Sequence, residues 1–187
     1  MELAMVIQER RYKVKDFEEF LALSENRDRL FELVDGEIVQ KMPTREHGII
    51  VGNIVTEFNL YLRQNPIGRA AVEARHRPAN DDENDRLPDI SFVSGLDKPV
   101  ERKGPALYMP DLAVEVKSPD DSNKEMRAKA DYYLANGSRM VWLVYPDKRL
   151  VEVHTADDFQ IHTIDDTLDG GDVLPGFKLA VRDVFRM

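Results

Sequence analysis

The chain of 187 residues contains no cysteine. That excludes disulfide staples, cysteine-type zinc sites, iron–sulfur clusters and a thiol nucleophile. It fits a reducing, cytoplasmic setting. Long apolar runs are missing as well. Nothing approaches the roughly 18 residues of a membrane-spanning helix, and the N-terminus lacks the basic-then-apolar pattern of a secretory signal. There is no internal repeat, heptad array or low-complexity tract. Positive charge is in short supply: 26 Lys and Arg against 35 Asp and Glu give −9, so no strongly basic nucleic-acid footprint covers the chain on average. The deficit is uneven. Residues 147–172 carry eight acids against only Lys148 and Arg149, and an anionic ligand should avoid that region.

What is present is globular composition, 42% hydrophobic and 33% charged, at a length that predicts one domain over 1–187. Asp16–Leu23 reads as a short amphipathic helix. Asp35-Gly36 between the alternating runs 29–34 and 37–42 predicts a hairpin, because both turn positions want positive φ. Thr44 can cap a helix over 45–65, whose apolar stripe is Val51, Ile54, Phe58 and Tyr61 or Leu62. Pro66 and Gly68 end it. Strands follow at 70–76, 88–93 and 111–117, with a polar loop at 78–86 and a Gly- and Pro-rich loop at 97–110. A helix at 123–135 is stopped by Asn136-Gly137. The continuous apolar run Met140–Tyr145 predicts a strand covered on both faces, and 150–154 alternates again. The tail holds one short strand or coil around 174–181. Strands separated by helices predict an α/β (α+β) fold with a mixed sheet flanked by helices. Residues 15–45 form an N-terminal helix and hairpin extension, 46–155 the core and 156–187 a C-terminal extension.

Three charged residues depart from the pattern of a solvated surface. Along 111–117, Leu112, Val114 and Val116 share one face, and Asp111, Ala113, Glu115 and Lys117 the other. Glu115 and Lys117 are therefore same-face neighbours, with Cβ atoms roughly 6–7 Å apart. Asp89 opens an apolar strand directly after Pro88, and on an adjacent strand it reaches Glu115. Two carboxylates are hard oxygen ligands suited to Mg²⁺ or Mn²⁺. Such an ion activates water and offsets phosphoryl charge, and a nearby lysine supplies a fixed cation. Each feature alone is also what an ordinary strand start and a surface ion pair would show.

Five segments in order narrow the reading: Phe31-Glu32-Leu33-Val34-Asp35-Gly36-Glu37, Glu46 to Asn53, Leu87 to Val93, Pro110 to Val116, and Lys129-x-x-x-Tyr133 with Gly137 and Val141-Trp142-Leu143-Val144. Together they resemble the Uma-two family of endonucleases, in the restriction endonuclease-like PD-(D/E)xK superfamily, over about 15–155. The resemblance implies a restriction endonuclease-like core, and it implies Asp89 and Glu115 as metal ligands. It also exposes a departure. Many members have an apolar residue where this chain has Lys117 and carry the basic residue on the following helix. This chain has both Lys117 and Lys129, so both are candidate catalytic residues.

Supporting residues keep two readings each. Lys129 borders the stripe Met126, Ala130, Tyr133 and Leu134; it either serves the site or covers Tyr133 with its stem. His47, on the inward face of its helix near the N-terminus, could bind phosphate or be a hydrogen-bonded core histidine. The family pattern makes Glu32 a possible third acid; a solvated edge position is the alternative. Arg75 and Arg77 could contact nucleic-acid phosphates or pair with the acidic loop 81–85. The function expected is Mg²⁺- or Mn²⁺-dependent cleavage of DNA by a homodimer away from any membrane. The rivals are a catalytically silent nuclease-fold binding or assembly module, and a hydrolase of a smaller phosphate ester. The two-residue spacing from Glu115 favours Lys117 over Lys129 as the catalytic cation.

Overall fold

The computed structural model describes residues 11–187. Helix α1 (Val14–Ala22) leads into a hairpin of β1 (Leu30–Val34) and β2 (Glu37–Lys41). The turn forms as its sequence dictates, with Asp35 at φ 48° and Gly36 at φ 82°. Phe17, Phe31 and Leu33 bury a small core between helix and hairpin. Helix α2 (Arg45–Gln64) starts where the Thr44 side chain accepts the His47 N–H, which satisfies one of the orphan donors of the first turn.

The main sheet has six strands in the order β3-β4-β5-β6-β7-β8. They are β3 (Gly68–Val72), β4 (Ile90–Ser94), β5 (Leu112–Val116), β6 (Met140–Tyr145), β7 (Leu150–His154) and β8 (Phe159–His162). Only β5 and β6 run parallel; the other neighbours are antiparallel. The parallel pair is joined through α3 (Asn123–Ala135), which opens on a Ser122–Glu125 capping box. This is the mixed α/β sheet expected. The strand predicted at 70–76 is shifted to 68–72, because the left-handed Glu73 (φ 50°) takes the chain out of the ladder.

Each sheet face is covered. One carries Ile90, Phe92, Leu112, Val114, Trp142 and Val144 against α2 and the C-terminal segment. The other carries Ala113, Val141, Leu143 and Tyr145 against Met126, Ala130 and Tyr133 of α3. The C-terminal segment holds more structure than one strand. Besides β8 it forms β9 (Thr167–Asp169) paired with β10 (Lys178–Ala180), then the short α4 (Val181–Val184). Its Phe177 ring packs against Phe58 of α2 at 5.2 Å between centroids, so this segment is core rather than appendage. Among the described residues, no helix is long and apolar enough to cross a membrane.

Gly68 shows how tightly β3 is seated. A Cβ there would lie against the Val93 carbonyl oxygen and 2.7 Å from the Phe92 ring, and the backbone oxygen cannot yield cheaply. Gly68→Ala should therefore cost about 1–3 kcal/mol, the usual scale of overpacking. Urea unfolding would show this as a lower midpoint at unchanged slope, and an unchanged midpoint would mean that β3 has room to shift.

Candidate active site

The ladder between β4 and β5 pairs Ile90 with Val114 and Phe92 with Leu112. Continued by one residue, it sets Asp89 opposite Glu115. The strand ends are joined by a side chain: Asp89 Oδ2 accepts the Val116 N–H at 2.7 Å. The other elements converge on this end of the sheet. The hairpin supplies Glu32 and Lys41, the first turn of α2 supplies His47, and α3 supplies Lys129 and Tyr133.

Glu32, Asp89 and Glu115 are 1%, 2% and 1% exposed. Buried carboxylates stay ionised only if cations or donors compensate them. The Lys41 ammonium lies 2.6 Å from Asp89 Oδ1 and 3.6 Å from Glu115 Oε2. Lys129 Nζ lies 3.1 Å from Glu115 Oε2 and 3.4 Å from Glu32 Oε1. His47 Nε2 is 3.1 Å from Asp89 Oδ2, and the Tyr133 hydroxyl donates to Glu115 Oε1 at 2.8 Å. Glu32 Oε2 is buried with no hydrogen-bond partner among the described residues.

The protonation states follow. Burial alone would raise the Asp89 pKa, but Lys41 and His47 outweigh it and hold the carboxyl well below the usual carboxylate range. Burial alone would lower Lys41 and Lys129. Glu115 with Asp89 reverses this for Lys41, and Glu115 with Glu32 reverses it for Lys129, so both stay above the ordinary lysine value. Burial, then Glu115, pushes the Tyr133 phenol well above its usual value. With these shifts Lys129 is an ammonium and Tyr133 a hydrogen-bond donor near neutral pH, and neither is a general base there.

Of the residues expected from sequence, Asp89, Glu115, Lys129, Glu32 and His47 are brought together. Lys117 is not. β5 ends at Val116, and Lys117 Nζ donates to the Ser118 carbonyl at 3.3 Å. Among the described residues it makes no ion pair with either carboxylate, so strand alternation beyond the last ladder pair misplaces it. Lys129 takes the place beside Glu115, the helix position that the family resemblance allowed. Arg75 and Arg77 are also elsewhere. Arg75 is held by Asp85 at 2.6 Å and Glu18 at 2.7 Å, and Arg77 lies 3.5 Å from Asp85. The salt-bridge alternative describes both. Asp85 is fully buried and bridges backbone to Leu33 of β1, so these arginines neutralise the joint between hairpin and sheet.

Lys41 carried no signal in the sequence. At the end of an alternating strand, Gln40-Lys41-Met42 reads as exposed surface, and only the docking of the hairpin turns Lys41 inward. Tyr133 was legible as core but not as a donor to Glu115.

Glu32, Lys41, His47, Asp89, Glu115 and Lys129 line a cleft of about 100 Å³ that Asp120 and Asp121 also border. A larger cavity of about 460 Å³, walled by Arg69, Lys98 and Tyr108, adjoins it through Glu73 but contains none of the clustered carboxylates. The clustered acids and ammoniums sit in the smaller space. Among the described residues, no group of three or more His, Asp or Glu side chains is arranged to hold a metal ion; lysine ammoniums stand between the carboxylates.

The profile of a family described as "Putative restriction endonuclease" matches residues 17–182. Among solved structures the chain is similar to a protein from Anabaena variabilis ATCC 29413 titled a putative nuclease belonging to DUF820. The TM-score is 0.76 and the identity 27%, over 90% of this chain and 96% of that one. No curated protein matches.

Asp89 gives a signed pH prediction. A carboxyl depressed in the folded state adds stability above its unfolded value near about 4 and loses it as pH falls. Asp89→Asn should cost about 3 kcal/mol at neutral pH, the scale of breaking a buried ion pair. It should also unfold with a shallower dependence on pH below about 4. Urea midpoints measured across pH 2 to 6 test this, and parallel curves for the two proteins would count against it.

Proposed function

The chain belongs to the Uma2 family of restriction endonuclease-like proteins, and from this we propose that its cleft hydrolyses phosphodiester bonds in DNA with a divalent cation, Mg²⁺ or Mn²⁺. The observation that carries the reading is the meeting of Asp89, Glu115 and Lys129 from two adjacent strands and a helix, in a cleft lined on its other side by Glu32.

In its chemistry, though not in its present arrangement, the donor set suits a hard cation. Asp89 and Glu115 offer carboxylate oxygens, and Glu32 adds a buried oxygen that has no hydrogen-bond partner among the described residues. Charge makes the same point. Three buried carboxylates face two buried ammoniums, and a phosphodiester would bring one more negative charge to a site that is already short of positive charge. Asp89 and Glu115 would hold the ion, which when bound supplies a lowered water pKa and charge stabilisation at the phosphoryl oxygens. The chain's own residues do the rest. His47 and the Val116 N–H fix Asp89. Tyr133 fixes Glu115. The Lys129 ammonium orients Glu115 and opposes charge that develops on the phosphoryl group; as a preorganised cation in a water-poor cleft it does so without reorganisation.

Two features bear on the substrate and assembly. Arg75 and Arg77 are already neutralised, which favours a short contact with the phosphodiester over a long basic groove and keeps a smaller phosphodiester as second reading. The edge strand β8 carries exposed Phe159 and Ile161, and the reading includes a homodimer in which two such edges pair. A cytoplasmic setting completes the reading.

Supercoiled plasmid incubated with Mn²⁺ tests it. The protein should nick the plasmid, Asp89→Asn and Glu115→Gln should abolish nicking, and Lys129→Met should slow it by about 10²-fold. Lys117→Met should stay within a few-fold of the parent. An intact plasmid alongside hydrolysis of a small aryl phosphodiester would move the assignment to the second reading. Inactivity on both would leave a binding module.

A further inference from the structure

Lys41 belongs to the hairpin rather than to the nuclease-like sheet, yet its ammonium sits deepest among the carboxylates. Its side chain is 13% exposed. It donates to Asp89 Oδ1 at 2.6 Å and to the Leu87 carbonyl at 2.8 Å, and it lies 3.6 Å from Glu115 Oε2. Among the described residues it is the one ammonium paired with both Asp89 and Glu115, since Lys129 pairs with Glu115 and Glu32. The two oxygens that Lys41 joins are the ones a hard divalent cation would take in the reading above.

We propose that the Lys41 ammonium is a built-in counter-ion occupying the cation seat between Asp89 and Glu115, and that a divalent metal binds there only by displacing it. This inference rests on the metal-dependent reading of the cleft. Its own content is the competition. An ion bridging Asp89 Oδ1 and Glu115 Oε2 would have to stand where the Lys41 ammonium now stands. Two cations cannot occupy that point together, and they repel each other at close range. The seat does not collapse when Lys41 leaves, because other groups fix its walls. Asp89 Oδ2 stays on the Val116 N–H and His47, and Glu115 stays on Tyr133 and Lys129. Lys41 has somewhere to go: it is the last residue of β2, and the chain beyond it, Met42 to Thr44, is non-repetitive and exposed. The competition is reciprocal, so whatever Lys41 contributes to the metal-free fold is subtracted from metal affinity.

The test is the affinity for Mn²⁺ alone, read from the paramagnetic resonance signal of the free ion, in the parent, Lys41→Met and Lys41→Met with Glu115→Gln. Lys41→Met should bind Mn²⁺ at least about 10-fold more tightly than the parent, a gain within the usual range of coupling between sites. The added Glu115→Gln should remove that gain. A residue that only braces the fold would loosen binding when removed. Melting in EDTA checks the fold, and where Lys41→Met fails to fold, Lys41→Gln, which keeps a donor for Leu87, carries the same comparison. Equal or weaker binding by the Lys41 variants overturns the competition while parent binding that depends on Glu115 preserves the metal site. Absence of Mn²⁺ binding in every protein overturns both.

Discussion

Three carboxylates buried at one end of a sheet set the terms for this molecule. Taking Glu32, Asp89 and Glu115 out of water is costly unless cations or hydrogen-bond partners come with them. The compensation is spread across elements that are distant in sequence. Lys41 arrives from the hairpin, Lys129 from the helix between the parallel strands, and His47 from the first turn of the long helix. No single element could assemble the site, so the site is complete only with the hairpin docked on the sheet.

The fold serves that convergence. Covering both faces of the sheet with α2, α3 and the C-terminal segment leaves the ends of β4 and β5 as the place where polar groups can gather. The Asp89 carboxylate replaces the next rung of the ladder by accepting the Val116 N–H, which fixes the spacing of the two acids through the backbone. A second buried charge cluster, Asp85 with Arg75 and Arg77, holds the hairpin in position. The hairpin is thereby secured by one ion cluster at its outer joint and by Lys41 at its inner one.

Much of this was written locally. Asp35-Gly36 specifies its own turn, the stripe of α2 specifies its buried face, and Asp89 and Glu115 stand out because acids interrupt apolar strands. What stayed hidden depends on where elements dock or stop. The alternation that pointed to Lys117 holds only within a strand, and β5 ends one residue before it. Lys41 has the local pattern of a surface residue and is made internal by the tertiary position of the hairpin. Arg75 and Arg77 lie in a segment whose partner, Asp85, is ten and eight residues away, near enough to pair and invisible until the loop closes. The strands after residue 158 are short and exposed on several positions, so they lack a clear period.

Between Asp89 and Glu115, the Lys41 ammonium stands in the proposed cation seat. Diffraction from crystals soaked in Mn²⁺, measured at the manganese absorption edge, locates the ion directly. The expected result is an anomalous peak bonded to carboxylate oxygens of both Asp89 and Glu115, with the Lys41 side chain withdrawn from Asp89. A peak confined to the acidic residues 147–172, or Lys41 still on Asp89 beside a bound ion, would contradict it.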